Sequence, residues 1–302
     1  MAVTVAETIK SITRKHLTEG KGLLFGQCVT AVGWVGGTIP EMTEEEGIVE
    51  LSMADVAGAG IAVGAALVGR RPIYVIRYQG FMWYNAPPLV NYAAKSKEMW
   101  NISCPLLIRS IAMEGGIGPV ASASHHGIVM RMPGLPVCAP MTPGEWTEAW
   151  NWFMSHDEPL YVSEHRRSFP VNYEMALQVQ ENADITLFAI SATRLNAIEA
   201  MKQLEKEGIR CNLFHLMWLK PLKITDDMLR AVKKTKLGLV LDSDFEVGGP
   251  SRSIAYDLMH ASSVPVHALG LEERTAGFAP RFDNGAPSAE RIVAKIRTLV
   301  RR

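Results

Sequence analysis

No apolar run in this 302-residue sequence reaches the roughly 20 residues that a membrane span needs. Clustered positive charge is also lacking. Lys plus Arg and Asp plus Glu balance at 31 each, which excludes nucleic acid as the main partner, because phosphate backbones need grouped cations. Cysteine is scarce: Cys28, Cys104, Cys138 and Cys211 form no C-x-x-C pair, and none sits beside a histidine at metal-ligand spacing. The expectation is four reduced, mostly buried thiols in a cytoplasmic protein. The opening stretch, MAVTVAETIKSITRKHL, carries charges throughout, so it predicts an amphipathic helix and lacks the unbroken apolar core of a secretory signal. There is no Walker motif, no internal repeat and no low-complexity tract.

What the sequence has in quantity is apolar surface, 48% of its residues, enough for a large core and two ordinary domains. Short apolar runs at 73–78, 105–110, 137–139 and 160–163 predict strands, and 57–68, small and apolar on all sides, predicts a buried helix packed on a sheet. Residues 165–183 are polar and lose periodicity, which divides the chain into domains at 1–170 and 184–302. The second half alternates more cleanly. Strands are expected at 185–191, 211–216, 237–242 and 264–269, with helices at 193–208, 226–234, from about 251 to 261, and at 288–300. Thr193 is a candidate N-cap and Gly208 the stop of the first of these helices; Ser251 or Ser253 would cap the third. Strands alternating with helices predict α/β domains with parallel sheets.

Two glycine-rich segments invite a ligand. In GAGIAVGAALVG (58–69), the spacing of Gly58, Gly60 and Gly64 imitates a dinucleotide fingerprint, but no strand runs into it and no acid stands near Arg77-Tyr78, where the ribose contact would fall. A tightly packed helix is the favoured interpretation. EGGIGP (114–119) follows the strand at 105–110, a place where α/β sheets often bind ligands, although an ordinary loop fits equally.

Taken in order, GLLFGQCV (22–29), GAGIAVGAALVGRRPIYVIRYQGF (58–81), NYAAKSKEMW (91–100), PLLIRS (105–110) and MPGLPVCAPMTPGE (132–145) resemble the beta subunit of the first component of 2-oxo acid dehydrogenase complexes, within the transketolase-like group. The stretch 91–100 matches a helix of that family. Beyond the polar segment, ITLFAISATRLNAIEAMKQLEKEGI and KPLKITDDMLRAVKKTKLGLVLDSDFEVGG are similar to the family's C-terminal domain. The resemblance implies two parallel-sheet, three-layer α/β domains: a pyrimidine-binding domain for thiamine diphosphate, then a transketolase C-terminal domain. The GDG…N pattern with which thiamine enzymes hold the diphosphate through Mg²⁺ is absent. The resemblance therefore implies that both belong to an alpha-type partner subunit, in an α2β2 heterotetramer.

It also implies site residues. The family glutamate that holds the aminopyrimidine nitrogen corresponds to Asp55, one carbon–carbon bond (~1.5 Å) shorter. The competing structural role for Asp55 is an N-cap on the helix that follows. Glu50, five residues upstream, is a weaker substitute. Tyr78 falls where the family stacks an aromatic on the pyrimidine, with Phe81 nearby; Gln27 and Met53 complete the expected cofactor contacts. A family histidine is replaced by Ala121. If residues from Ser122 onward were helical, His125 would face the same way, with His126 beside it, a candidate acid–base pair at pH 7; two surface histidines is the alternative. Arg77, Trp83 and Tyr84 are placed on the substrate side, and Gln27 stands where dehydrogenase relatives carry an acid.

These departures tilt the expectation toward a transketolase- or carboligase-type transferase acting on a 2-oxo acid or ketose-like donor. A dehydrogenase or decarboxylase beta subunit, a degenerate scaffold subunit, and a nicotinamide enzyme built on the glycine segment are the rivals.

Overall fold

The computed structural model describes residues 2–20, 22–30, 35–115 and 117–300. Its strands are β1 (Leu23–Gly26), β2 (Ile48–Glu50), β3 (Pro72–Ile76), β4 (Leu107–Ala112), β5 (Val137–Cys138), β6 (Leu160–His165), β7 (Ile185–Ile190), β8 (Cys211–Leu216), β9 (Trp218–Lys220), β10 (Gly238–Phe245) and β11 (Val266–Leu271). Its helices are α1 (Val5–Glu19), α2 (Asp55–Leu67), α3 (Met82–Asn91), α4 (Ser96–Trp100), α5 (His126–Met130), α6 (Pro143–Ser155), α7 (Thr193–Glu205), α8 (Asp226–Thr235), α9 (Pro250–Ser262) and α10 (Ala289–Val300).

The strands form two sheets, ordered β2-β1-β3-β4-β6-β5-β9 and β11-β10-β7-β8. All pairings are parallel except β5 with β9. Each sheet is covered on both faces, and strand periodicity shows how. On β3, Ile73 and Val75 join the core under α1 and α6, while Tyr74 and Ile76 join the core under α2 and α3. On β7, Leu187 and Ala189 face α7 and α10; Phe188 and Ile190 face α8 and α9. Burial on both faces is why these strands read as continuous apolar runs.

One core, containing Tyr74, Ile108 and Tyr161 together with Phe188, Val240 and Ile254, runs from the first sheet into the second. The sheets are joined further by β9, a short strand from the second half that adds to the edge of the first sheet. Inside β4 and β6, Arg109 and Glu164 form a buried bidentate pair, Nε–Oε1 2.7 Å and Nη2–Oε2 3.0 Å. Arg109 Nη2 also donates to Thr38 Oγ1 at 2.8 Å.

Several local expectations are corrected. Residues 91–100 do not form one helix: α3 ends at Asn91, a 3-10 turn over Ala93–Lys95 follows, and α4 starts at Ser96. Thr193 is the first residue of α7 and not its cap; its hydroxyl donates to Ile190 O (2.6 Å) and Leu241 O (3.0 Å), tying the helix to β7 and β10. Gly249 precedes α9 as its cap, and Pro250, whose missing N–H costs nothing there, opens the helix in place of Ser251 or Ser253. Helix α2 buries one face only, through Gly58, Ala59, Ala62, Val63 and Ala66; Val56, Ile61 and Val68 are exposed. The four cysteines are free, with only Cys28 partly exposed. Among the described residues no helix is long and apolar enough to cross a membrane.

Candidate functional site

Strand β1 lies between β2 and β3, so the chain leaves β1 and β3 toward opposite sides of the sheet. The crevice beyond the carboxyl ends of such a strand pair is where open α/β sheets bind ligands. A cavity of about 260 Å³ opens there. Gln27, Met53, Asp55, Tyr78 and Phe81 all line it. Cys28, Tyr74, Arg77 and Asn85 share its wall.

Each side chain is placed by its element. Gln27 and Cys28 follow β1. Cys28 adopts φ 57°, a left-handed conformation that a non-glycine residue holds only when its surroundings impose it. Glu50, at the end of β2, supplies that hold: its carboxylate accepts from the Cys28 amide, from Thr30 N at 3.0 Å and from Thr30 Oγ1 at 2.9 Å. Burial works against the Glu50 charge, but these hydrogen bonds outweigh it and lower its pKa. Glu50 is thus a loop clamp and does not line the cavity.

Asp55 is the first residue of α2, with Ala54 in the capping place. Its carboxylate does not turn back on the helix amides. Instead Oδ1 accepts from Asn85 Nδ2 at 2.8 Å. Asn85 in turn donates to Phe81 O (2.9 Å) and accepts from the Tyr74 hydroxyl (2.5 Å). Burial, with the charge of Asp55 added, pushes the Tyr74 pKa up, so Tyr74 stays a neutral donor.

The aromatic wall follows β3. Tyr78 and Phe81 have ring centroids 6.0 Å apart, tilted by 40°. The Arg77 guanidinium lies 5.0 Å from the Tyr78 centroid and donates to Cys28 Sγ at 3.2 Å. Between them, the turn Gln79–Phe81 presses on the loop that contains Val120. A Cβ on Gly80 would sit 2.5 Å from Val120 O, so only glycine allows this approach. Trp83 and Tyr84 are exposed on α3 and do not line the cavity.

The histidines are elsewhere. The chain from Ser122 is not helical, because Ala123 takes φ 76° and α5 begins only at His126; the helical spacing from Ala121 to His125 does not exist. Neither histidine lines the cavity; His126 is buried and His125 is half-buried. His126 is fully buried, with Nδ1 2.9 Å from Ser163 Oγ and Nε2 3.0 Å from Asp242 Oδ1. Both ring nitrogens are engaged in holding the two sheets together. Ser124 Oγ with Ser243 Oγ (2.6 Å) and Gly127 N with Asp244 Oδ2 (2.8 Å) extend this seam. His125 donates its backbone N–H to Gln79 Oε1 at 2.6 Å. Burial, reinforced by His126, lowers its pKa to about 4, so it is neutral at pH 7.

Sequence reasoning missed Asn85 and Tyr74. A lone amide and a lone hydroxyl among apolar neighbours were the available signals. Among the described residues no group of three or more His, Cys, Asp or Glu is arranged to hold a metal ion.

The family described as the transketolase pyrimidine-binding domain matches residues 16–172, and the transketolase C-terminal domain matches residues 174–283. The chain belongs to the transketolase pyrimidine-binding domain family. Among the relatives of this family member is the pyruvate dehydrogenase E1 component subunit beta of Rickettsia felis, 24% identical over 98% of each chain. The 2-oxoisovalerate dehydrogenase subunit beta of Bacillus subtilis is 26% identical, over 71% of this chain and 70% of that one. The fold matches a split-gene transketolase solved as an inactive beta4 tetramer, with TM-score 0.74, 17% identity, and 100% and 99% of the two chains covered. It also matches the transketolase of Campylobacter jejuni, TM-score 0.73 at 18% identity, where 98% of this chain spans 47% of the longer one.

Proposed function

We propose that this chain is the pyrimidine-binding subunit of a two-chain thiamine diphosphate enzyme that breaks or forms a carbon–carbon bond next to a carbonyl. The observation that carries the proposal is the Asp55 carboxylate in the lining of a cavity whose wall includes Tyr78 and Phe81. A carboxylate and two rings fit a protonatable, flat heterocycle such as an aminopyrimidine. The cofactor, when bound, supplies an acidic carbon that becomes a nucleophile toward carbonyl groups.

The chain's own part in this chemistry is local. Asp55 would hold a proton at the ring nitrogen of an aminopyrimidine seated in this cavity. Tyr78 and Phe81 clamp the ring plane, and Gln27 and Met53 close the rim. Neither histidine is given a catalytic part, because both ring nitrogens of His126 serve the seam between sheets and His125 does not line the cavity. The nicotinamide alternative loses its basis, since Gly58, Gly60 and Gly64 lie within α2 and not in a strand-to-helix turn.

The diphosphate and Mg²⁺ are assigned to an alpha-type partner carrying the GDG…N pattern, in an α2β2 assembly in the cytoplasm. Support comes from the beta-subunit names of the relatives and from exposed apolar residues on α2 and α3, which pack on each other. The pyrimidine-binding domain is taken as 1–170 and the C-terminal domain as 184–302. The donor is a 2-oxo acid or a ketose. Ketol transfer or carboligation is the first reading, from Asp55 in place of glutamate and the missing histidine at Ala121. A decarboxylating dehydrogenase component is the second, favoured by the names of the relatives.

The test is a calorimetric titration of thiamine diphosphate with Mg²⁺ into the co-purified pair. Stoichiometric binding by the pair and none by this chain alone is expected; no binding by the pair would overturn the proposal. Supplying the loaded pair with pyruvate, an aldehyde and an artificial electron acceptor then separates the readings: a new carbon–carbon bond marks transfer, and a reduced acceptor marks the dehydrogenase type.

A further inference from the structure

We propose that Asn85 and Tyr74 are positioning residues for Asp55: they fix one carboxylate oxygen, Oδ1, and so present the other, Oδ2, to the ring nitrogen of a bound aminopyrimidine. The inference rests on the role given to Asp55 above.

The Asn85 amide is 1% exposed and every polar atom on it is used. Its NH₂ group donates to Asp55 Oδ1 at 2.8 Å and to Phe81 O at 2.9 Å, while its oxygen accepts from Tyr74 Oη at 2.5 Å. The opposite orientation of the amide would set three acceptors against one another, at Asp55, Phe81 and Asn85 itself, and would turn the NH₂ group toward the Tyr74 hydroxyl. Only one orientation satisfies the set. Donation therefore runs in one direction, from Tyr74 to Asn85 to Asp55. Among the described residues, Asp55 Oδ2 accepts no hydrogen bond. The oxygen left for a ligand is the one not tied back.

The relay also accounts for a glycine. Tyr74 stands on β3, and its hydroxyl reaches the base of α2; a Cβ on Gly58 would lie 3.2 Å from Tyr74 Oη and 3.2 Å from Leu51 Cδ1. The first glycine of the false dinucleotide fingerprint gives the Tyr74 hydroxyl its room. A one-carbon-shorter acid at the head of α2 is thus braced from α3 through Asn85, and the same residue braces the backbone of Phe81. One amide sets both the carboxylate and an aromatic of the ring clamp.

The experiment uses the assembled two-chain enzyme with saturating thiamine diphosphate and Mg²⁺, and measures hydrogen–deuterium exchange at the cofactor's reactive carbon. Asn85→Leu, which loses a hydrogen bond to a charged group, is expected to slow exchange roughly tenfold to a hundredfold, and Tyr74→Phe, which loses the neutral bond behind it, roughly twofold to tenfold. A second readout needs no activity: side-chain couplings of Asp55 in the free chain should report one rotamer in the parent and averaging in both variants. A merely structural role would lower the melting temperature and leave exchange at saturation unchanged. If Asn85→Leu fails to fold, Tyr74→Phe, which removes a single oxygen, decides alone. Unchanged exchange and an unchanged Asp55 rotamer in Tyr74→Phe, with exchange abolished in Asp55→Ala, would overturn the relay and keep the site. Unchanged exchange in Asp55→Ala would instead overturn the site itself.

Discussion

His126 Nε2 sits 3.0 Å from Asp242 Oδ1, joining α5 of the first half to β10 of the second with neither side chain exposed to solvent. Burial opposes charge on His126, yet Asp242 and Asp244 outweigh it and hold its pKa above the ordinary 6.5. A histidine with a raised folded pKa stabilises fully below its unfolded pKa and loses that contribution as pH rises through the folded value. Asp244 acts in the same direction. Burial raises its pKa from 3.8 to about 6, so folding takes up a proton and stability falls as pH climbs across that window. His126→Phe, which strands the buried Asp242 carboxylate, is expected to cost about 3 kcal/mol at pH 6. The parent's own melting temperature should fall between pH 6 and pH 8, as His126 and Asp244 lose the protons that the folded state holds on them. A melting temperature that rises across that window would contradict this account of the seam.

The buried pair of Arg109 and Glu164 makes a different prediction. Their side chains are 1% and 0% exposed, and the Thr38 hydroxyl is the further partner of Arg109. Removing the Glu164 charge leaves a guanidinium in a dry core, whereas removing both charges does not. Glu164→Gln should therefore lose about 3–5 kcal/mol in urea unfolding, and Arg109→Met with Glu164→Leu should recover most of it. Equal losses in the single and double variants would contradict it.

Assembly is tested on the open face of α2. Ile61 is 50% exposed and Val68 79% exposed, while the opposite face of the helix is packed. Ile61→Asp should leave the melting temperature of the isolated chain within about 1 °C, because exposed substitutions away from special contacts are near neutral. The same change should weaken association with the alpha-type partner, read by sedimentation velocity. Undiminished association would remove α2 from the interface.

Much of the architecture was legible because buried parallel strands leave unbroken apolar runs, as at β3, β4 and β7, and because the helices between them carry 3.6-residue periodicity. What escaped was set by distant partners. The three residues of β9 are too short to signal a strand that pairs with β5. Helix α3 carries Pro87 and Pro88 within it and ends at Asn91, against their usual effect as helix breakers. Thr193 looked like a cap because a threonine hydroxyl can accept from the amides of a helix's first turn, but here it donates to carbonyls of β7 and β10. Asp55, Tyr78 and Phe81, named by register with a family, line one cavity. Tyr74 and Asn85 were not named, because their bonds join residues 11 apart and 30 apart in sequence. The adjacent histidines read as an acid–base pair or as surface residues; nothing in the local sequence announces a buried aspartate from the other half of the chain.

The central claim is that the Asp55 carboxylate activates a cofactor gripped at its other end by a second chain. The most direct measurement is hydrogen–deuterium exchange at the reactive carbon of thiamine diphosphate bound to the assembled pair, for the parent and for Asp55→Ala. The account predicts that exchange is fast in the parent and falls to the rate of free cofactor in the variant, with assembly intact. Exchange in Asp55→Ala as fast as in the parent would contradict it.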